Sequence, residues 1–247
     1  MTLPVHRVES LGGVRPGDRV VVEGDEAHHA VAVRRMRPGE ELVLTDGNGH
    51  LATGTVTEAA KARLGVLVAE VETVPEPSPA VTVVQALPKG DRGELAVAVL
   101  TEVGVARIVP WAASRSVAVW RGDRAAKSLA RWRSSAREAA KQARRAWFPV
   151  VTEPATTDEV AALLADAELA VVLHEAAATP LATLHVPEDG SVVVVVGPEG
   201  GLTDEEVSAF AAAGGRGVRL GAEVLRTSTA GVAAAAALLS RTERWRR

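Results

Sequence analysis

A chain of 247 residues, 47% of them hydrophobic, can fill the cores of one or two domains, and disorder over its whole length is excluded. It has no cysteine, which removes disulfides, thiolate metal sites and thiol nucleophiles together and fits a cytoplasmic protein. The net charge of −3 is unevenly spread: ten Arg and Lys against Asp123 and Glu138 give residues 115–147 a charge of +8, leaving −11 for the rest. A block of that kind fits a polyanionic partner or a solvated helix face.

The N-terminal third reads as β structure. Residues 19–23, 41–45, 51–57 and 65–71 are short and rich in Val, Leu and Thr, with turns such as Asp46-Gly47-Asn48-Gly49 between them. One helical stretch, residues 25–35, interrupts them. Short strands and tight turns in so few residues predict a small barrel over residues 1–73. The string TVPEPSPA at 73–80 has three prolines, which suit neither a helix nor a central strand, so residues 74–79 read as a linker. No basic stretch followed by an apolar one opens the chain. The most apolar run, residues 231–239, is about half of the roughly 20 residues that a membrane span needs.

Beyond the linker, residues 81–87, 106–110, 169–173 and 192–196 are continuous apolar runs, as expected for strands buried on both faces of a parallel sheet. Helical segments alternate with them. Asp91 can cap a helix that runs to Val103 and stops at Gly104. A long helix over residues 123–145 carries most of the basic block. Thr203 and Glu206 form a capping pattern, and an alanine-rich helix covers about 229–239. The alternation predicts an α/β domain over residues 80–247.

Three strings can carry chemistry. In VVVVVGPEGGLTDEE, residues 192–206, a buried strand ends in Gly197-Pro198-Glu199-Gly200-Gly201 before a capped helix, and glycines there admit a close ligand. The alternative is an ordinary strand–helix turn. RLGAEVLRTSTAG, residues 219–231, places the charge of Arg226 between Leu225 and a helix start, either for a ligand or for a structural ion pair. LPKGDR, residues 87–92, offers Lys89 and Arg92 to phosphate or to solvent. No His, Asp and Glu cluster suggests a metal.

Taken together, KGDR…TEVGV, SRSV, RW…EAAKQARR, VGPEGG and LGAEVLRTSTA occur in the order found in the RsmE family. Those are bacterial 16S rRNA uridine N3-methyltransferases of the SPOUT class. EAHHAVAVRRMRPGE at 26–40 and TDGN at 45–48 are similar to that family's PUA-like RNA-binding barrel. The resemblance covers almost the whole chain. It departs where Lys141 stands for a frequent Glu, Ala222-Glu223 for Pro-Arg, and Ser228 for Glu.

The resemblance implies a C-terminal trefoil-knotted α/β domain, a homodimer, S-adenosylmethionine as cofactor and 16S rRNA as partner, free or within the small ribosomal subunit. The expected cofactor residues are Leu173, Gly197, Glu199, Gly200, Leu220, Leu225, Thr227 and Ala230. Arg226 is the expected catalytic residue, stabilising charge on the uracil ring. Glu199 is the candidate proton acceptor, with Arg7 and His6 as further candidates. Arg34, Arg35, Lys89, Arg92, Arg137, Arg144 and Arg145 are expected to meet RNA. Another SPOUT activity, on ribose 2′-OH or transfer RNA, and a non-catalytic RNA-binding protein are the competing readings.

Overall fold

The computed structural model describes residues 3–246; Met1, Thr2 and Arg247, at the outer ends of the two expected domains, lie outside the described residues. The chain forms two compact units, one of residues 1–76 with 141–148, the other of residues 77–140 with 149–247.

The first unit holds β1 (Val5–Arg7), β2 (Arg19–Glu23), α1 (Gly24–His28), β3 (Glu41–Thr45), β4 (His50–Ala60) and β5 (Arg63–Thr73). They form a five-stranded sheet in the order β1-β3-β4-β5-β2. Only β1 and β3 run parallel; the other pairs are antiparallel. β1 is too short to be legible in sequence. β4 and β5 extend past the predicted ends, and their register slips at Gly54, where a Cβ would lie 2.5 Å from the Leu67 carbonyl oxygen. The predicted helix at 25–35 forms as α1 and a π-helical turn, His29–Val33. Asp46 fixes the following turn by accepting the Asn48 N–H at 2.8 Å and bonding His50 Nδ1 at 2.8 Å.

Residues 141–148 pack with this unit, although the sequence reading extends a helix to 145 within the second domain. The reason is local. Gly49 N–H donates to the Ala146 carbonyl at 2.9 Å, and Phe148 N–H donates to the Gly47 carbonyl at 2.9 Å. The Trp147 indole donates to the Val74 carbonyl at 2.9 Å. Gly47 and Gly49 have φ of +75° and +95°, and a Cβ on either would strike the Phe148 or Trp147 ring.

The second unit has a six-stranded, wholly parallel sheet of β6 (Ala80–Ala86), β7 (Arg107–Trp111), β8 (Val150–Val151), β9 (Leu169–Leu173), β10 (Ser191–Val196) and β11 (Arg216–Val218), ordered β11-β9-β10-β6-β7-β8. Its helices are α2 (Arg92–Glu102), α3 (Asp123–Gln142), α4 (Thr157–Ala165), α5 (Asp204–Ala212) and α6 (Thr227–Leu239). Alternate strand residues feed two cores. Val83, Val171 and Val194 pack with Leu100 of α2, Trp132 of α3 and Leu238 of α6. Val84, Val172 and Val193 pack with Val160 of α4 and Phe210 of α5. Burial on both faces explains why these strands read as unbroken apolar runs.

Two helix starts differ from one another. Thr203 and Glu206 make the predicted capping box. Asp91 occupies the N-cap of α2 but makes no side-chain cap bond, which corrects the expected role of its carboxylate. Gly231 of α6 faces its own sheet and α2, where a Cβ would meet Leu100 and Val196 at 3.2 Å, so that face packs within the chain.

Candidate active site

The strand order reverses its progress between β10 and β6, and an open α/β sheet binds ligands at the carboxyl ends of strands beside such a point. Val196 is in register with Gln85, so the GPEGG loop after β10 and the LPKGD loop after β6 leave the sheet side by side. The Lys89 N–H donates to Glu199 Oε1 at 3.2 Å and ties the two loops together. Glu199 therefore performs a structural task with one oxygen. Among the described residues its other oxygen has no hydrogen-bond partner.

The loop's glycines have distinct reasons. Gly201 has φ +73° and its N–H donates to the Pro198 carbonyl at 2.9 Å, so the turn itself requires it. Gly197 sits under Leu202, whose Cδ2 would be 3.1 Å from a Cβ. A Cβ on Gly200 would lie 3.0 Å from Arg115 Cβ and 3.1 Å from its carbonyl oxygen. The neighbour that excludes a side chain at Gly200 is thus the SRSV segment. Arg115 braces the loop: its Nη1 donates to the Leu202 carbonyl at 3.0 Å. Ser114 N–H donates to buried Glu206 at 2.8 Å beside it.

The second loop runs from β11 into α6. Arg219 N–H donates to the Thr179 carbonyl at 3.0 Å, and Leu181 N–H donates to the Arg219 carbonyl at 2.8 Å. Leu173 ends β9 beside Val218, and both Leu173 and Leu220 are half-buried. Leu225 and Arg226 are exposed, Thr227 is buried and Ala230 is half-buried. Among the described residues the Arg226 guanidinium has no hydrogen bond and no carboxylate within ion-pair distance, so neither Glu223 nor Glu199 neutralises it. Its carbonyl opens α6 by accepting the Ala230 N–H at 2.9 Å.

Gln85 is the site residue that the sequence reading passed over. It is wholly buried, and its amide donates to the Thr227 carbonyl at 3.2 Å, pinning the start of α6 to the end of β6. Its Oε1 has no partner among the described residues. The available signal was one polar residue inside the apolar run VTVVQAL.

In the first unit Arg7, Arg34 and Arg35 are exposed, and so are Lys89, Arg92 and Arg137 in the second. Arg144 is exposed, with φ +55°, whereas Arg145 is half-buried. His6 is 1% exposed and its Nδ1 lies 3.1 Å from Glu26, so it is committed to a buried pair and does not present itself to substrate. His6, Glu26 and His29 bring potential ligand atoms within 4.8 Å of one another, a cluster that no sequence spacing reveals. The cation already beside it is Lys141, whose Nζ is 2.9 Å from Glu26.

A family model described as an RNA methyltransferase domain matches residues 75–239, and one for an RNA methyltransferase PUA domain matches residues 22–66. Ribosomal RNA small subunit methyltransferase E of Mycobacterium tuberculosis is 45% identical over 233 residues, 93% of this chain and 89% of its own length. The chain belongs to that family of RNA methyltransferases. Its Bacillus subtilis member is 31% identical over 230 residues, 90% of each chain. A methyltransferase from Legionella pneumophila, solved with bound S-adenosylmethionine, matches with TM-score 0.88 and 28% identity over 98% of this chain and 99% of its own. The family enzyme from Neisseria gonorrhoeae, also bound to S-adenosylmethionine, matches with TM-score 0.86 and 30% identity over 97% and 98%. The family's two-part build, an α/β methyltransferase domain with a PUA-like domain, is the build described above.

Proposed function

We propose that the chain methylates N3 of a uridine in 16S ribosomal RNA, with S-adenosylmethionine as methyl donor. The observation that carries this reading is Arg226, an exposed guanidinium with no counter-charge among the described residues, at the head of α6, where Gln85 pins the next residue. The residues present fit the cofactor. Leu173, Leu220 and Leu225 offer apolar surface at the strand ends, and Gly197, Glu199, Gly200, Thr227 and Ala230 offer backbone in two braced loops. When bound, S-adenosylmethionine supplies an electrophilic methyl group on a sulfonium.

Uracil N3 carries a proton and becomes nucleophilic only when that proton leaves. The free oxygen of Glu199 is the proton acceptor in this reading, while Oε1 keeps its bond to Lys89. The planar fork of Arg226 can donate to the ring oxygen on which negative charge develops. The target base must leave its stack first. Arg7, Arg34, Arg35, Lys89, Arg92, Arg137, Arg144 and Arg145 are the proposed contacts to phosphate and ribose.

The finer architecture follows the same reading. The domains are those expected at residues 1–73 and 80–247, except that residues 141–148 go with the first, and the second is a SPOUT trefoil knot. Supporting the knot, α6 follows the edge strand β11 yet packs beside the central strands β6 and β10 and against α2. The chain acts as a cytoplasmic homodimer on RNA that is free or in the small subunit. The outer side of α6, with Thr229, Ala233, Ala236 and Ala237, is small, and Val224 beside it is 75% exposed. No helix among the described residues is long and apolar enough to cross a membrane.

Mass spectrometry of nucleosides from 16S rRNA treated with the chain and S-adenosylmethionine tests the reading. N3-methyluridine is the expected product; a 2′-O-methyl nucleoside, or no methylated product, overturns it.

A further inference from the structure

A cavity of about 190 Å³ opens between the N-terminal turn of α2 and the middle of α3. Pro88, Gly90 and Asp91 of the LPKGD loop line it, so it lies beside the candidate active site, while none of the residues assigned to the cofactor lines it. Its walls include Asp91 and Gly93 on one side and Trp120, Ser128, Arg131 and Trp132 on the other. The two indoles meet edge to face, with ring centroids 5.0 Å apart and planes at 81°. Trp132 is 4% exposed. Gly93 exists to admit that ring: a Cβ there would be 2.7 Å from Trp132 Nε1. Trp120, also in the wall, is half-buried.

One acceptor is left over after folding, beside a paired cation. Asp91 stands at an N-cap and caps nothing, so its carboxylate is an acceptor with no partner among the described residues. Arg131 reaches Glu94 at 3.7 Å across the rim. Arg124, Ser128 and Arg131 fall on one side of α3 by their spacing, so the cavity opens beside a cationic stripe. Aromatic surface, a free acceptor and flanking cations are the elements with which proteins hold an unpaired base on its backbone.

We propose that this cavity takes an unpaired, amino-bearing nucleobase of the RNA substrate, other than the uracil that is methylated. The proposal rests on the RNA-modifying function above. A carboxylate accepts from N1–H and the amino group of guanine or from the cytosine N4 amino group. Uracil presents carbonyls on both sides of N3 and satisfies Asp91 poorly. The cavity thereby reads a base near the target.

The test uses the full chain with 16S rRNA as probe, measuring RNA affinity by filter binding and cofactor affinity by calorimetry. Trp120→Ala should weaken RNA binding about tenfold, the scale of removing one base–aromatic stack, with unchanged S-adenosylmethionine affinity. Asp91→Asn, which preserves shape, should weaken RNA binding several-fold, and it decides the matter if Trp120→Ala melts early. Nucleoside 5′-monophosphates titrated by tryptophan fluorescence should rank GMP and CMP above UMP. RNA affinity within twofold of the parent for Asp91→Asn, or UMP binding as tightly as GMP and CMP, overturns the proposal. If RNA binding depends on Asp91 while no N3-methyluridine forms, the function assigned above fails and the base site stands. If N3-methyluridine forms with Asp91-independent binding, the reverse holds.

Discussion

Glu26 and Arg226 show two opposite treatments of charge. In the first unit, Glu26 is bonded by His6 at 3.1 Å and by Lys141 at 2.9 and 3.2 Å, and its carboxylate is mostly buried. In the second, Arg226 stands exposed with no such partner among the described residues. Burial alone would push the Glu26 carboxyl up; the hydrogen bonds and charges of His6 and Lys141 outweigh it and hold the group down at about 2. A charge that has its partners inside the fold is spent on stability. One that lacks them is available to a ligand, and the contrast separates the structural cluster from the proposed catalytic one.

The sharpest break of this contrast is Arg226→Lys. Because Arg226 has no internal partner, thermal stability and cofactor affinity should hold, while single-turnover methylation falls roughly 10²–10³-fold through loss of the planar fork. A drop in melting temperature alongside the rate would instead make Arg226 a structural residue. Next in size is Gly200→Val. Its Cβ would press on Arg115, which braces the loop through the Leu202 carbonyl, so calorimetry should find S-adenosylmethionine binding abolished with the circular dichroism spectrum retained.

Glu26→Gln tests the other side. It should cost as much as about 3 kcal/mol of stability at neutral pH, the value of a carboxyl moved from 4.5 to about 2. The sign is that of a depressed acid: the contribution is complete above about 4.5 and is lost as pH falls toward about 2. Denaturant titrations of the parent should therefore lose stability across that window, and those of Glu26→Gln should lose less. The smallest effect belongs to the surface cations. Replacing Arg137 and Arg144 with alanine should lower the slope of log affinity for RNA against log salt by about 0.7–0.9 for each phosphate that is no longer neutralised, with melting temperature unchanged.

Lys141 and Arg115 mark where reading the chain stops. Both lie in one basic block, and a count of charge treats them alike. The fold turns Lys141 onto Glu26, which is distant in sequence, and Arg115 onto the Gly200 and Leu202 carbonyls. Likewise the unbroken valines of β10 reveal a strand buried on both faces, whereas three-residue β1 and β11 leave no pattern long enough to detect. Gln85 was visible as an exception in an apolar run, but its hydrogen bond to Thr227 crosses 142 positions.

Local chemistry is what the sequence determined by itself. Glycine and proline placed the turns, and the Thr203–Glu206 box placed a helix start. Apolar runs marked the parallel strands, and motif order marked the family. Each depends on residues a few positions apart, where steric and hydrogen-bonding preferences act directly. The tertiary structure alone decided which charges are neutralised, that residues 141–148 go with the first unit, that α6 buries its small face in its own domain, and that Trp120 and Trp132 line a cavity. These depend on pairs brought together by packing, and no local periodicity encodes which distant carboxylate, carbonyl or ring a side chain will meet.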